Sequence, residues 1–331
     1  MTLFGIELPH IVVSGIYAVI SIAIAAIMAL YLVWWERKIS AHIQVRFGPM
    51  ETGGWHGWLQ TLADGLKLLQ KEDTVPASAD TRVFFWAPVV VFTASLMTFV
   101  VIPWSKNIIF ADLNVGILYI FAITSFTVIS LLMAGWGSNN KYAIIGGMRS
   151  AAQIVSYEVP LALSIMGVIM LSQSMSMQEI VLAQDKIWNW NIVRQPLGFL
   201  IFLVAATAEI NRTPFDLPEA EQELVAGFST EYSGMKFAMF FLAEFVNMFI
   251  ASAICTTLFL GGWHGPVANE SLGWLWFLIK TLIVVFIFMW FRWTYPRLRV
   301  DHLMEFAWKW LIPLAFVNLL ATGLIYNLIK S

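Results

Sequence analysis

Three acidic residues lie inside or at the edge of long apolar segments, where a charge is costly. They are Glu158 in SYEVPL, Glu209 in TAEINR and Glu244 in FFLAEFVN. An ionised carboxylate near the centre of a bilayer costs about 2.5–3.5 kcal/mol on insertion scales, so such residues normally face a protein interior or a wet cavity. Glu244 is the sharpest case, because no basic residue lies within helical reach of it. The pattern predicts groups that exchange protons; the alternative is a neutral glutamic acid bonded to a neighbouring helix.

The connection between the fifth and sixth apolar runs carries an excess of acid against a single basic residue, Arg212. Its acidic set is Glu209, Asp216, Glu219, Glu221, Glu223 and Glu231. If Pro218 begins a helix, Glu219 and Glu223 lie on one face and titrate as a pair. A solvated acidic loop is the plain alternative. Joined to the membrane acids, the loop predicts a chain of carboxylates of the kind that moves protons. The candidate chain is Glu158, Glu209, Glu219, Glu221, Glu223 and Glu244.

Basic and aromatic residues are predicted on the same side of the membrane as this acidic connection. The set is Arg37, Arg46, Arg212, Arg297 and Arg299, with Phe47, Phe215 and Phe228 nearby in sequence. Such surroundings suit a membrane-soluble ligand with a polar head group.

The sequence shows no pattern of residues that is typical of a metal site or of an iron–sulfur cluster. The five histidines show none of the paired spacings that are typical of a metal site. The single cysteine, Cys255, lies in an apolar run, so the chain can form no internal disulfide and cannot supply the cysteines of an iron–sulfur cluster. Any redox centre is therefore expected in a partner.

The composition indicates a polytopic membrane protein. Of the 331 residues, 59% are hydrophobic and only 12% are charged, which is more apolar surface than a soluble domain needs to close a core. The 19 basic and 21 acidic residues nearly balance, which argues against a nucleic-acid binder. We therefore predict an all-α membrane helix bundle that forms a single integral membrane domain over residues 1–331.

Apolar runs of about 20 residues predict eight membrane spans. The predicted spans are 11–35, 83–103, 114–136, 153–173, 197–209, 237–262, 273–293 and 307–329. The fifth is short for a crossing, and short or broken helices at membrane depth are tolerated where they line a cavity. The amino terminus has no basic residue before its apolar run, so the first span is expected to be retained and not cleaved as a signal.

The distribution of Lys and Arg predicts the orientation of these spans. Four connections hold fourteen of the nineteen basic residues and are therefore expected to face the cytoplasm. They are the segments 36–82, 137–152, 210–236 and 292–309. Both termini are then expected on the outer side.

An amphipathic helix is predicted within the first cytoplasmic connection. The apolar residues that recur there at helical spacing are Trp55, Trp58, Leu59, Leu62, Leu66 and Leu69. Such a helix lies in the membrane interface, and a plain anchor is its simplest role. Asp64 and Lys67, three residues apart, can pair on one side of it.

Several long motifs resemble one family. They are AEINRTPFDLPEAEQELVAGFSTEYSGMKFAMFFLAE, WWERKISAHIQVRFGP, LADGLKLLQKED, RSAAQIVSYEVPL and YPRLRVDHLMEFAWKWLIPLAF. In order and spacing, over nearly the whole chain, they resemble the quinone-channel membrane subunit of respiratory complex I. The chain departs from the family pattern after VRFGP, where Met50 and Glu51 replace the usual Asn-Arg, and at Thr61 and His302.

The resemblance implies a subunit of a proton-translocating NADH:quinone oxidoreductase in the bacterial inner membrane, without a redox cofactor of its own. Quinone is then the substrate. Flavin mononucleotide (FMN) and iron–sulfur clusters are expected in partner subunits of the peripheral arm, and the other partners are membrane-arm subunits and the lipid bilayer. The matching chamber positions, with the two nearby phenylalanines, are Arg37, Arg46, Asp64, Lys67, Arg212, Phe215, Asp216, Phe228, Arg297 and Arg299. The six carboxylates of the candidate chain match the family's acidic channel.

Two other readings stay open. One is the homologous membrane subunit of an energy-converting nickel–iron hydrogenase, although the complete ERK to KED segment and the RTPFDLPEAE loop favour the quinone enzyme. The other is a free-standing secondary transporter, which predicts repeated halves with matching broken helices; no such repeat is visible.

Overall fold

The computed structural model describes residues 2–3, 6–7, 10–218, 221–266 and 272–330, and it describes side chains over 15–218, 223–266 and 272–328. Within these ranges the regular structure is almost entirely helical, which confirms the all-α prediction. Two short strands, β1 (Thr2–Leu3) and β2 (Ile6–Glu7), pair antiparallel before the first helix.

The α-helices in chain order are α1 (His10–Ile43), α2 (Gln60–Gln70), α3 (Thr81–Thr98), α4 (Gly116–Gly137), α5 (Lys141–Ser172), α6 (Met177–Leu182), α7 (Asn191–Arg194), α8 (Pro196–Glu209), α9 (Glu221–Leu224), α10 (Gly234–Phe259), α11 (Gly273–Thr294), α12 (Val300–Glu305) and α13 (Ile312–Lys330). A π-helical stretch, Phe306–Leu311, joins the last two. Short 3₁₀ turns are Trp55–Gly57, Phe99–Val101, Ile187–Asn189 and Gly227–Ser229.

Among the described residues, seven helical segments are long and apolar enough to cross a membrane. They are Gly15–Ile43, Thr81–Val101, Gly116–Gly137, Lys141–Ser172, Gly234–Phe259, Gly273–Thr294 and Val300–Leu328. Each overlaps one predicted span, so the chain is a multi-pass membrane protein. The remaining predicted span is α8, whose 14 residues extend about 21 Å at 1.5 Å per residue, which is short of a hydrocarbon core of about 30 Å.

Two helices are much longer than the bilayer core and project beyond it. α1 has 34 residues and α5 has 32, so each extends about 50 Å. The connection predicted at 137–152 is therefore helical from Lys141 onward. The projecting end of α1 carries Glu36, Arg37 and Lys38 in a fixed helical arrangement.

α10 forms the centre of the bundle, and nearly all its side chains from Phe245 to Phe259 are buried. Small residues allow the surrounding helices to approach closely. A Cβ atom added at Gly135 of α4 would lie 2.6 Å from the carbonyl oxygen of Ala143 in α5. Glycine is therefore required at this crossing.

Lys280 on α11 caps the end of α10. Its side chain is 8% exposed, and its ammonium donates to the carbonyl oxygens of Leu260 at 2.7 Å and Gly262 at 3.0 Å, and to that of His264. The ammonium also lies 4.3 Å from the ring centroid of Trp190. The carbonyls at a helix end lack partners within the helix, and this lysine satisfies that of Leu260 at the end of α10 together with two carbonyls of the segment that follows.

The interfacial connection is a turn followed by a helix. Gly57 has φ of +64°, and a Cβ atom there would lie 2.5 Å from the carbonyl oxygen of Pro49, so the turn requires glycine. α2 begins only at Gln60, later than the predicted start at Trp55. Its apolar face at Leu62, Leu66 and Leu69 is exposed, as an interfacial helix requires.

Candidate functional site

Arg212 lies in the connection after α8, and only 2% of its side chain is exposed. Its Nη1 donates to both carboxylate oxygens of Glu36, at 3.1 and 3.0 Å, and its Nε lies 2.9 Å from Oε1 of Glu244. The guanidinium carbon lies 4.5 Å from the ring centroid of Phe245. Arg212 therefore joins the projecting end of α1 to α10 through two carboxylates.

The ion pair with Arg212 gives Glu244 a basic partner that its own helix does not offer. Helical spacing within α10 supplies no such residue, so the partner comes from another segment of the chain. The carboxylate is nevertheless not fully buried, because 21% of the side chain is exposed and it lines a small cavity. Glu244 is thus charge-paired and also lies at the wall of a cavity large enough for water molecules.

Glu36 is a candidate site residue that the sequence did not lead us to predict. Only 5% of it is exposed, and its carboxylate accepts hydrogen bonds from Arg212 and from Nη1 of Arg292 on α11. The sequence did contain a signal for Glu36, because it directly follows the apolar part of α1. A charged carboxylate at such a position costs free energy for the same reason as at Glu244. The cluster of Glu36, Arg212, Glu244 and Arg292 is called the buried ionic cluster below.

Asp64 pairs with Arg37 and not with Lys67, so the predicted pair within α2 is wrong. Nη1 of Arg37 lies 2.5 Å from Oδ2 of Asp64, and Nε2 of Gln60 donates to Oδ1 at 3.0 Å. Lys67 is exposed. The arginine on the projecting end of α1 lies closer to Asp64 than the lysine one turn along α2, and the resulting ion pair joins the two helices.

Another ion pair lies where the loop after α8 meets the segment after α11. Nη2 of Arg297 donates to Oδ2 of Asp216 at 3.1 Å, and both side chains are partly exposed. The neighbouring Phe215 is buried, and its ring lies 5.2 Å from that of Tyr157 on α5. The structure therefore brings together Arg212, Phe215, Asp216 and Arg297 as one side of a polar and aromatic region.

Gln153 holds this loop against α5, and sequence reasoning gave no signal for it. Its Nε2 donates to the carbonyl oxygens of Ala208 and Phe215, both at 2.8 Å, and to Oδ1 of Asn211 at 3.0 Å. One buried amide thus binds the end of α8 and the loop that follows it. An isolated glutamine in an apolar helix identifies a buried polar group but not its partners.

Two small cavities meet at Glu209. Each has a volume of about 50 Å³, enough for a few water molecules. Thr127, Glu209 and Asn247 line both cavities. One continues to Glu244, and the other runs among α4, α5, α8 and α10. Glu158 on α5 is half-buried and is not among the residues that line either cavity.

The loop acids are only partly described. Glu219 lies outside the described residues, as does the side chain of Glu221, and the short helix in this loop begins at Glu221. Oε2 of Glu223 accepts from Nη1 of Arg149 at 2.6 Å in an exposed ion pair. The predicted continuity from the surface to Glu209 therefore stays a prediction.

Three further predicted chamber residues lie apart from the buried ionic cluster. Arg46 is exposed beyond α1, and Arg299 pairs with Asp301 at 3.0 Å in an exposed position. Phe228 is buried in an aromatic cluster that also contains Tyr232. Burial raises the pKa of the Tyr232 hydroxyl.

Comparison with known proteins gives the family. A sequence profile of the NADH dehydrogenase family matches residues 16–323. The chain is 53% identical over 294 residues to the H subunit of NADH-quinone oxidoreductase from Anoxybacillus flavithermus, covering 88% of each chain. It is 46% identical over 346 aligned positions to an H subunit of NADH-quinone oxidoreductase from Geobacter sulfurreducens, covering 98% of each. The chain belongs to the NADH dehydrogenase family.

Proposed function

We propose that this chain is the membrane subunit of a proton-translocating NADH:quinone oxidoreductase, in which it forms the quinone chamber and the start of an acidic proton path. FMN and iron–sulfur clusters are then held by partner subunits of the peripheral arm. The buried ionic cluster carries the proposal, because the guanidinium of Arg212, in the loop after α8, contacts both Glu36 on the projecting end of α1 and Glu244 on α10.

The quinone head group is proposed to lie among the polar groups contributed by α1, α2, the loop after α8 and the segment after α11. Reduction of a quinone to a quinol takes two electrons and two protons. The Arg37–Asp64 and Asp216–Arg297 pairs offer hydrogen-bond donors and carboxylates at this place. In this proposal the electrons come from a partner, and the residues of this chain bind the head group and exchange protons with it.

Electrostatic contact between the carboxylates supplies the coupling step. Glu244 interacts with the charges of Glu36 and Asp216 as well as with that of Arg212. A like charge near a carboxyl group disfavours its ionised form. In this proposal, a proton gained or lost at Glu36 or Asp216 shifts the protonation equilibrium of Glu244.

The two cavities give the proton a path from Glu244 to Glu209. Water between these residues can relay a proton, because Thr127 and Asn247 supply polar groups along the walls. Glu158 then receives it or responds to the charge on Glu209. We place the loops of this path on the cytoplasmic side of the inner membrane, as the distribution of Lys and Arg predicts.

Asp64→Asn tests the chamber. We expect the KM for quinone to rise about three- to tenfold, because the charge on one partner of the Arg37 pair is lost. Electron transfer from NADH to a water-soluble acceptor that takes electrons before the quinone step should not change. The matched control is Glu305→Gln, which removes an exposed carboxylate paired with Lys309. An unchanged KM for quinone in the assembled Asp64→Asn complex contradicts the proposed chamber.

A further inference from the structure

A groove lies between the projecting end of α1 and the turn that precedes α2. Its walls include Trp34, Lys38, His42, Trp55, His56 and Trp58, and its volume is about 640 Å³. We call it the Trp–Lys groove. None of its residues belongs to the proposed quinone chamber or the acidic path.

The walls of the groove are held by specific contacts. The indole nitrogen of Trp34 donates to the carbonyl oxygen of His56 at 3.2 Å, and that of Trp58 donates to the carbonyl oxygen of Gly53 at 3.1 Å. The ammonium of Lys38 donates to the carbonyl oxygen of Pro49 at 2.5 Å. The groove is therefore a formed site, although Trp55 is 82% exposed and Trp58 is 60% exposed.

The charge of the groove favours an anion. Lys38, His42 and His56 all contribute donors, and none of the described side chains that line it is acidic. Lys38 has three N–H groups; its described hydrogen bonds go to the Pro49 carbonyl and to Sδ of Met50 at 3.2 Å, and its ammonium also lies 5.9 Å from the ring centroid of Trp34. A phosphate group near this lysine and the two imidazoles would meet donors from both walls.

The position of the groove favours a lipid. Exposed apolar residues on the same side of α1, Ile27 at 65% and Tyr31 at 41%, continue from the groove toward the middle of the bilayer. Tryptophan and lysine are the residues that favour the level of lipid head groups. Basic pockets beside membrane helices on the cytoplasmic side bind anionic lipid head groups.

We propose that the Trp–Lys groove binds the phosphate head group of an anionic phospholipid of the phosphatidylglycerol class, with one acyl chain along the Ile27–Tyr31 side of α1. The lipid would fix the interfacial turn against α1 from outside. This role is separate from quinone chemistry and from proton transfer.

The test uses the purified complex and a phosphatidylglycerol probe that carries a photoreactive group on its acyl chain. After illumination, digestion and mass spectrometry should place the label in residues 27–42 or 55–58. The yield should exceed that of a matched phosphatidylcholine probe about fivefold or more, since each basic charge near an anionic head group changes affinity by roughly that factor. Equal yields from the two probes, or no label above background because a partner subunit fills the groove, would overturn the proposal.

Two variants and one control sharpen this result. His42→Glu puts a negative charge into an exposed wall and should lower the phosphatidylglycerol yield at least fivefold. Trp58→Ala opens the other wall and should lower it as well. Lys141→Glu, which changes an exposed lysine beside Tyr142 on the same predicted side, should leave it unchanged. An equal loss in the control, or full labelling in both groove variants, contradicts a specific site.

Discussion

Arg212 and Lys280 are two buried cations beside the same helix; each lies over an aromatic ring, but their polar partners differ. Arg212 lies near the first half of α10 between two carboxylates, Glu36 and Glu244. Lys280 lies beyond the last turn of α10, and its described hydrogen bonds are made to backbone carbonyl oxygens. The first cation interacts with groups that can gain a proton, whereas the second interacts with groups that cannot.

This difference separates a site that can switch from one that is fixed. Protonation of either carboxylate would change the electrostatic attraction between it and Arg212, and a small cavity reaches Glu244. The carbonyl oxygens around Lys280 keep the same partial charge at any ordinary pH. Under the proposed function, the chemical nature of the partner, and not buried charge alone, distinguishes a coupling residue from a structural one.

Arg212→Met should have the largest effect. Removing one partner of a buried ion pair costs about 3–5 kcal/mol, because it leaves an uncompensated charge, and here two carboxylates are affected. We expect little of this chain in the purified complex, measured by quantitative immunoblot, with partial recovery in Arg212→Lys. Normal assembly and pumping in the Arg212→Met complex would contradict the distinction between Arg212, whose partners can gain a proton, and Lys280, whose partners cannot.

Lys280→Met should have an intermediate effect of a different kind. The uncapped carbonyls cost about 1–3 kcal/mol, so we expect a lower thermal midpoint for the purified complex. Turnover per assembled complex and protons moved per electron should match the unchanged protein. If fewer protons were moved per electron while turnover stayed normal, Lys280 would instead belong to the proton path.

Arg149→Gln should have the smallest effect. Its partner Glu223 is 53% exposed, and exposed ion pairs contribute about 0–1 kcal/mol. We expect a thermal midpoint and a pumping rate close to those of the unchanged complex. A marked loss of pumping would show that the loop acids act together with the buried ionic cluster.

The sequence predicted the bundle well because membrane spans depend on local composition. Long apolar runs satisfy their own backbone hydrogen bonds as helices, so seven of the eight predicted spans match long helices. The short fifth run is a 14-residue helix ending at Glu209, as its length indicates. Charge spacing also located Glu209 and Glu244, since acids in apolar runs are visible without a structure.

Partners of these charges could not be predicted, because they come from distant segments. The pair of Arg212 with Glu36 joins residues far apart in the chain, and no local periodicity reports such a contact. The same limit made the predicted Asp64–Lys67 pair wrong, since α1 offers Arg37 to the same carboxylate. Gln153 was missed for this reason as well.

The most direct test of the account is proton translocation by a Glu244→Gln complex in sealed vesicles. The amide keeps the size of the side chain but cannot carry or release a proton. With assembly shown to be intact, we predict that NADH-driven pumping or quinone turnover is abolished, while Glu305→Gln keeps both. Full coupled activity in the Glu244→Gln complex would contradict the claim that this carboxylate links quinone reduction to proton movement.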